Sequence, residues 1–301
     1  MNPFSFPGEA DVLPVRCLVA RGRVVDCAAR PLVMGIVNVN DDSFSGDGML
    51  DFEAAWALAE GHFADGGDII DVGAESARTN REAVGVEEEV RRLRGFLALW
   101  QERAGGLRPR FAEQLTPPLL SLNSWRPEVV EQVLPIGGDL LNDIGALPDD
   151  RNARLCARHG AALLIMHSIG QPKVPHTHVG YEDVVAAVEG FFEEKIALCE
   201  SAGLAREALV LDPGLDFAKQ RDDNLRLIAG LGRFLRFGRP VLMPVSRKTF
   251  IGQTLGLAEP AERDAGTVAA LVAGQVRGAH IFRVHHVRAA AEAVRVVEAC
   301  L

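Results

Sequence analysis

What the chain lacks narrows its class before anything it contains. Its five cysteines (Cys17, Cys27, Cys156, Cys199, Cys300) form no CxxC and no Cys/His knuckle. An odd, scattered set of this kind excludes a disulfide scaffold and a structural zinc module, and it reads as thiols kept reduced in a cytoplasm. No apolar run approaches the roughly 18 residues that span a bilayer. The opening MNPFSFPGEADVLP has neither a basic n-region nor an apolar h-region, so no secretory signal is expected there. Basic residues are in deficit, with 32 Lys and Arg against 41 Asp and Glu for a formal charge of −9. With a pI near 5.4, the overall balance gives no ground for nucleic acid or an anionic membrane as a partner. An anionic substrate would need a local basic cluster. No G-x-G-x-x-G follows the first strand-like run, which removes the signal of an open dinucleotide-binding sheet.

What is present is size and alternation. The 301 residues, 48% of them hydrophobic, suffice for a buried core without disulfide or metal. Eight short apolar runs recur at 32–38 (LVMGIVN), 68–73 (DIIDVG), 119–123 (LLSLN), 139–143 (DLLND), 161–167 (AALLIMH), 208–212 (ALVLD), 241–246 (VLMPVS) and 279–285 (AHIFRVH). Each is nearly all apolar until its last residue or two, the mark of a strand buried on both faces of a parallel sheet. Between and after them, segments 51–64, 86–101, 126–134, 149–159, 181–202, 222–231, 262–276 and 287–299 carry apolar residues at helical spacing. Eight strands alternating with eight helices predict an α/β fold, a (β/α)8 TIM barrel taking residues 1–301 as a single domain. Residues 1–30 form its N-terminal extension, where 15–26 alternate about Arg21-Gly22 as a short β-hairpin expected to plug the N-terminal mouth.

In such barrels chemistry sits at the C-terminal ends of the strands. The polar residues that end the apolar runs are Asn38, Asp71 with Glu75, Asn123, Asn142, His167, Asp212, Ser246 through Lys248, and Arg283 with His285. Asp212, Asn142 and Asn123 supply fixed acceptors, and the amides also donate, which suits a flat heterocycle with a mixed hydrogen-bonding edge. Arg283, His285 and Asn38 suit an anion, and Lys248 could touch either group. Read alone, this is a site for a phosphorylated nitrogen heterocycle.

Specific strings go further. Residues 34–45 (MGIVNVNDDSFS), 71–78 (DVGAESAR), 141–144 (LNDI), 165–168 (IMHS), 211–219 (LDPGLDFAK), 246–252 (SRKTFIG) and 283–287 (RVHHV) stand in the order and spacing of the dihydropteroate synthase family, which the chain resembles after its N-terminal hairpin. The resemblance implies transfer of a pterinylmethyl group from 6-hydroxymethyl-7,8-dihydropterin diphosphate to p-aminobenzoate, releasing pyrophosphate. It implies a pterin held by Asp212, Asn142, Asn123 and Lys248. It implies a diphosphate held by Asn38, Arg283 and His285, with Mg2+ bridging its oxygens and Asn38. Asn123, Lys248 and Arg283 would carry the catalysis. The aminobenzoate would meet Phe44, Arg78, Phe217 and the Lys248 stem, with its carboxylate on backbone N–H groups at Thr249. A cytoplasmic homodimer and sensitivity to sulfonamides are further implications. A methyltetrahydrofolate-dependent corrinoid methyltransferase and a catalytically weak pterin-binding homologue are the alternative readings.

The chain also departs from that pattern. Where the family's third strand usually ends Ser-Ile-Asp-Thr, this one reads Ser121-Leu122-Asn123-Ser124 and loses a negative charge. Asp71, at the end of the second run, could compensate for that loss. Asn40-Asp41, Ala77 and Thr79 replace usual residues of two loops, and Asp216 and Ala218 replace two glycines after the sixth strand. These loop changes fall on the second-substrate side. Of the remaining polar residues, His176 and His178 read as surface histidines, and Glu87–Glu89 as an acidic run complementing a helix N-terminus.

Overall fold

A run of apolar residues forms a strand here because side chains from both of its faces find a core. The computed structural model describes residues 17–39, 51–75, 83–170, 172–174 and 179–301. Numbered in chain order, a hairpin of β1 (Leu18–Ala20) and β2 (Arg23–Val25) comes first. The barrel strands follow as β3 (Leu32–Asn38), β4 (Ile69–Gly73), β5 (Leu119–Asn123), β6 (Leu140–Asp143), β7 (Ala162–Met166), β8 (Leu209–Asp212), β9 (Leu242–Met243) and β10 (Ile281–Val284). All pairings among these eight are parallel, in the order β8-β7-β6-β5-β4-β3-β10-β9. A bridge between Leu211 and Val241 joins the two ends of that order, so the sheet closes on itself. Every residue of β4 through β8 is buried, as expected for strands with barrel interior on one side and helices on the other.

The seventh barrel strand is shorter than its apolar run. The run at 241–246 is expected to pair throughout, yet only Leu242 and Met243 form a strand. Pro240 and Pro244 bracket them, and neither has an N–H for the ladder.

Nine α-helices lie among the described residues, one more than periodicity predicts. They are α1 (Phe52–Ala64), α2 (Val86–Arg103), α3 (Pro127–Val133), α4 (Arg151–His159), α5 (Val184–Ser201), α6 (Arg221–Ala229), α7 (Thr249–Leu255), α8 (Asp264–Gln275) and α9 (Val287–Cys300). The additional one is α7, whose seven residues end at Gly256 with φ 71°. Two turns are too few to register as a periodic apolar stripe. No helix among the described residues is long and apolar enough to cross a membrane.

The hairpin crosses the N-terminal ends of the strands. Arg21 and Gly22 both take positive φ, as a tight two-residue hairpin turn requires. The Arg21 amide donates to Gly160 O at 2.7 Å and its Nε to Gly138 O at 2.5 Å, just ahead of β7 and β6. Arg239 Nη2 donates to Cys17 O at 2.6 Å, tying the start of the hairpin to the entry of β9. With Leu18 and Ala20 fully buried, the hairpin covers this end of the barrel, which leaves the opposite end for the polar residues.

Candidate active site

A single carboxylate organises the C-terminal end of the barrel. Asp71 on β4 is the register partner of Ser121 on β5, and Ser121 Oγ donates to it at 2.6 Å. Two residues further along β5, Asn123 donates from Nδ2 to Asp71 Oδ2 at 3.3 Å. Asn142, the partner of Asn123 on β6, donates to both Asp71 oxygens at 3.2 and 3.3 Å. From β10, Arg283 reaches past β3, and its Nε and Nη2 each lie 2.7 Å from Asp71 Oδ2. Asp71 is fully buried, and a charge in that position is costly unless it is paired and hydrogen-bonded. Here four side chains from three strands supply the donors.

This arrangement dictates what the two amides can offer. Because Asp71 only accepts, both turn their N–H groups toward it. Among the described residues, Asn123 Oδ1 and Asn142 Oδ1 are then left buried without a hydrogen-bond partner. Such atoms are expensive to leave unsatisfied, so they mark a place where N–H donors of a ligand would be bound. Arg283 meets Asp71 through Nε and Nη2, which leaves Nη1 as the guanidinium nitrogen outside that pair.

Asp212 ends β8 and is buried. Gly214 N donates to its Oδ1 at 2.7 Å. Burial pushes its carboxyl up to about 6, against the pull of that hydrogen bond and of the Lys248, Lys219 and Arg283 charges. The turn beyond it is tightly built. A Cβ on Gly214, at φ +69°, would lie 1.9 Å from the His167 carbonyl oxygen, so no other residue fits. Asp216 and Ala218, standing in place of glycines, nonetheless take φ 66° and 52°. Strain of that kind persists only where neighbours hold it. Asp216 is held by Asn224, which accepts its N–H at 2.8 Å and donates to its Oδ1 at 3.1 Å.

Beneath this turn Lys219 Nζ meets His167 Nδ1 at 2.8 Å and the carbonyls of Phe217 and His167 at 3.0 and 3.3 Å. Burial brings the Lys219 ammonium down to about 7, with Asp212 opposing. His167 is pushed down to about 3 by burial and by the Lys219 charge, so it is a neutral acceptor. From sequence, His167 could equally line the pocket or pack. It packs edge-on against Phe191, with centroids 4.9 Å apart, and serves to anchor the loop.

The segment after β9 presents Lys248. Arg247 has φ 56° and is fixed by Nε and Nη2 on Asp264 at 2.7 and 3.0 Å, with its amide on Thr267 Oγ1 at 2.9 Å. The chain thereby turns Lys248 inward, where Nζ donates to Leu215 O at 2.9 Å and stands 4.8 Å from the centre of the Phe217 ring. Ser246 Oγ accepts the His285 amide N–H at 3.2 Å and lies 2.8 Å from His285 Nδ1. In the arrangement where this hydroxyl donates to Nδ1, the ring proton sits on Nε2, the tautomer that donates to an anion. Asn38, exposed at the end of β3, completes the rim. Thr249 opens α7, but its backbone N–H, expected to receive an aminobenzoate carboxylate, donates to Asp216 Oδ2 instead.

Of the residues singled out from sequence, Asn38, Asn123, Asn142, Asp212, Lys248, Arg283 and His285 all fall at this end of the barrel. Phe217 and Thr249 stand beside Lys248 and Asp216. Phe44, Arg78 and the histidines 176 and 178 lie outside the described residues. Sequence gives Asp71 only a compensating role, places His167 at a strand end without deciding between pocket and packing, and gives Ser121 and Lys219 no role. Their one sequence signal is a polar residue inside or just after an apolar run. The acidic run at 87–89 does more than complement α2, because Glu89 is buried and paired with Arg126. Arg126 also pairs with Glu75 and donates to Val84 O at 2.6 Å, joining the two sides of segment 76–82.

Known proteins share this sequence and architecture. The sequence profile of the pterin binding enzyme family matches residues 34–285. Dihydropteroate synthase of Escherichia coli strain K12 is 38% identical over 286 residues, which span 94% of this chain and 96% of that one. The Neisseria meningitidis serogroup B enzyme of the same name is 39% identical over 277 residues, 90% of this chain and 93% of that one. Among solved structures, Xanthomonas albilineans dihydropteroate synthase with 4-aminobenzoic acid superposes with a TM-score of 0.82 at 36% identity, covering 95% of this chain and 98% of the other. The same enzyme in complex with 7,8-dihydropteroate superposes with a TM-score of 0.80, covering 94% and 98%. The chain therefore belongs to the pterin binding enzyme family and, within it, to the dihydropteroate synthases.

Proposed function

We propose that this chain joins 6-hydroxymethyl-7,8-dihydropterin diphosphate to p-aminobenzoate, releasing pyrophosphate and 7,8-dihydropteroate. One observation carries the reading. Buried acceptors on Asn123 and Asn142, without a partner among the described residues, share the C-terminal end of the barrel with the buried Asp212 carboxylate of β8, while Arg283 stands on β10 and His285 directly follows it. A heterocycle with an N–H edge and an anionic tail matches that division.

In this reading Asp212 accepts from the pterin's exocyclic amino group and a ring N–H. Asn142 and Asn123 accept through Oδ1, and Lys248 donates to the opposite edge. Arg283 Nη1 and His285 Nε2 donate to the diphosphate. The C–O bond to the diphosphate breaks as negative charge grows on the leaving group, where the guanidinium is best placed to stabilise it. The electron-rich ring spreads the positive charge left on the methylene. The arylamine nitrogen forms the new C–N bond and gives up a proton to solvent. Phe217 and the Lys248 stem would flank the arylamine ring, so positioning rather than deprotonation supplies the rate.

Mg2+ belongs to the proposal. Among the described residues no cluster of three or more His, Cys, Asp or Glu could hold a metal. An ion carried by a diphosphate needs few protein ligands, however, and the Asn38 amide oxygen is a hard donor of the required kind. Asn38 would hold it, and the ion when bound would supply charge neutralisation on the leaving group. The reaction is placed in a reducing cytoplasm, in keeping with thiols that are all free. A homodimer is proposed on the resemblance alone.

The test is purified protein with the dihydropterin diphosphate, Mg2+ and p-aminobenzoate, with pyrophosphate release followed over time. Release that depends on the arylamine is expected. No release that depends on p-aminobenzoate would overturn the reading.

A further inference from the structure

The turn that delivers Lys248 is held from behind by a buried cation that no step of the reaction uses. Arg263 lies just ahead of α8 and is buried, and the adjacent carboxylate, Asp264, pairs with Arg247 rather than with it. Among the described residues its side chain donates only to backbone carbonyls. Nη1 reaches Arg247 O at 3.1 Å and Lys248 O at 3.4 Å, just before α7. Nε and Nη2 donate to Leu257 O at 3.2 and 3.1 Å, and Nη2 also to Ala258 O, just past the end of α7. The helix leaves room for this group, since a Cβ on Gly252 would lie 2.5 Å from Arg263 Nε. The carbonyl of Arg263 accepts from Thr267 Oγ1 at 2.9 Å, the same hydroxyl that receives the Arg247 amide. A buried charge is costly unless hydrogen bonds compensate it, and here the compensation comes from carbonyls at both ends of α7.

We propose that Arg263 is a positioning residue for the transfer reaction, holding the turn at 247–248 so that Lys248 enters the site at one fixed place. The proposal rests on the synthase reading, in which Lys248 meets both the heterocycle and the arylamine. Arg247 has φ 56°, a conformation that persists only where neighbours hold it. Asp264 holds its side chain, Thr267 its amide and the Arg263 guanidinium its carbonyl. That last hold needs arginine. A planar fork donates to carbonyls on two sides at once, whereas a lysine ammonium is a single point on a flexible stem. Without the fork the turn loosens, and Lys248 Nζ, which donates to Leu215 O and stands over the Phe217 ring, no longer returns to one position.

The experiment is a double-mutant cycle, because a residue that acts through Lys248 loses its effect once Lys248 is truncated. Arg263→Lys and Arg263→Gln are made in wild type and in the Lys248→Ala background, and 6-hydroxymethylpterin and pyrophosphate are titrated separately by calorimetry. With Lys248 present, each substitution should weaken 6-hydroxymethylpterin about three- to tenfold, the usual worth of one oriented hydrogen bond. In the Lys248→Ala background it should change that affinity by less than about twofold, and pyrophosphate affinity should hold within about twofold in both backgrounds. The kcat/KM for pyrophosphate release with p-aminobenzoate should fall about ten- to a hundredfold, as for a reacting geometry displaced by up to about 1 Å. Equal losses with and without Lys248, a parallel loss of pyrophosphate affinity, or an unchanged kcat/KM would overturn the proposal. If neither variant folds, Thr267→Val runs the same cycle, since it spares the guanidinium and cuts the tie between Arg263 O and the Arg247 amide. If no protein binds 6-hydroxymethylpterin, the synthase reading fails on its own. The role of Arg263 is then decided by trace acetylation of Lys248 relative to Lys195 on α5, read by mass spectrometry. Acetylation of Lys248 raised about threefold or more by the substitutions supports the role, and unchanged acetylation refutes it.

Discussion

Replacing Asn123 by Asp tests the electrostatics of the site most directly, because the structure turns a simple expectation into a pH-dependent one. On charge alone the substitution should help. A carboxylate about 4 Å from a cationic methylene is worth at most roughly 4 kcal/mol at an effective dielectric near 20, nearly three decades of rate. Asn123 Nδ2, however, lies 3.3 Å from Asp71 Oδ2. An ionised oxygen placed there meets that charge with a repulsion of about 5 kcal/mol at the same dielectric. Arg283, 2.7 Å from the same oxygen, offsets part of it. A net rise of about 1–3 pH units is the ordinary range for carboxylates that share a site, so the new group should titrate between roughly pH 5 and 7. The folded-state value is raised above the unfolded one. The introduced group therefore costs nothing at low pH, and stability is lost as pH rises through the folded value, by about 1.4 kcal/mol for each pH unit that the carboxyl is raised. Activity should run the other way, since only the ionised form stabilises the cation. The ratio of variant to wild-type kcat/KM cancels any limb that both share. We expect that ratio to climb between pH 5 and 8 while the denaturant midpoint of the variant falls relative to wild type. A ratio flat across that range, or one highest at acid pH, would refute the reasoning.

Three other expectations follow from particular contacts. Asp212 must be ionised to accept two N–H bonds, and burial raises it to about 6, so affinity for 6-hydroxymethylpterin should fall by up to about tenfold per pH unit below that value. Fluorescence titration across pH 5–8 checks this, and Asp212→Asn should bind weakly with no such limb. Ser246→Ala removes the partner of His285 Nδ1 and of its amide. It should weaken pyrophosphate binding about three- to tenfold, the usual worth of one oriented hydrogen bond, while leaving 6-hydroxymethylpterin affinity unchanged by calorimetry. Gly214→Ala drives a methyl to 1.9 Å from the His167 carbonyl at a φ that favours glycine. It should cost about 3 kcal/mol or more in urea unfolding, through overpacking and backbone strain together.

The barrel was legible because burial on both faces writes itself into consecutive residues. β3 and β5 begin and end where their apolar runs do, at Leu32–Asn38 and Leu119–Asn123. Legibility failed where a local rule intervened, as with the prolines around β9, or where an element was too short for its period to show, as with α7. For the candidate site the limit is of another kind. Residue type and strand position place Asn142 and Asp212 with a heterocycle and Arg283 with an anion, but neither reveals which polar groups meet one another. Asp71 and Arg283 are separated by 212 residues and join only because the barrel closes.

That pairing changes how the site is understood. From sequence, heterocycle binding and anion binding are separate tasks given to separate strands. In the fold, Asn123 and Asn142 aim their carbonyl oxygens outward because their N–H groups are held by Asp71, and Asp71 tolerates full burial because Arg283 is beside it. An anion that draws on Arg283 therefore acts on the carboxylate that orients the two amides. The substrate's two ends should bind interdependently, and Asp71→Asn should weaken both and reduce the coupling between 6-hydroxymethylpterin and pyrophosphate. Coupling of the ordinary size, about 1–3 kcal/mol, is well within reach of calorimetry. If the two ligands bind wild type independently, or if Asp71→Asn leaves their coupling intact, the shared carboxylate is a structural pair and nothing more.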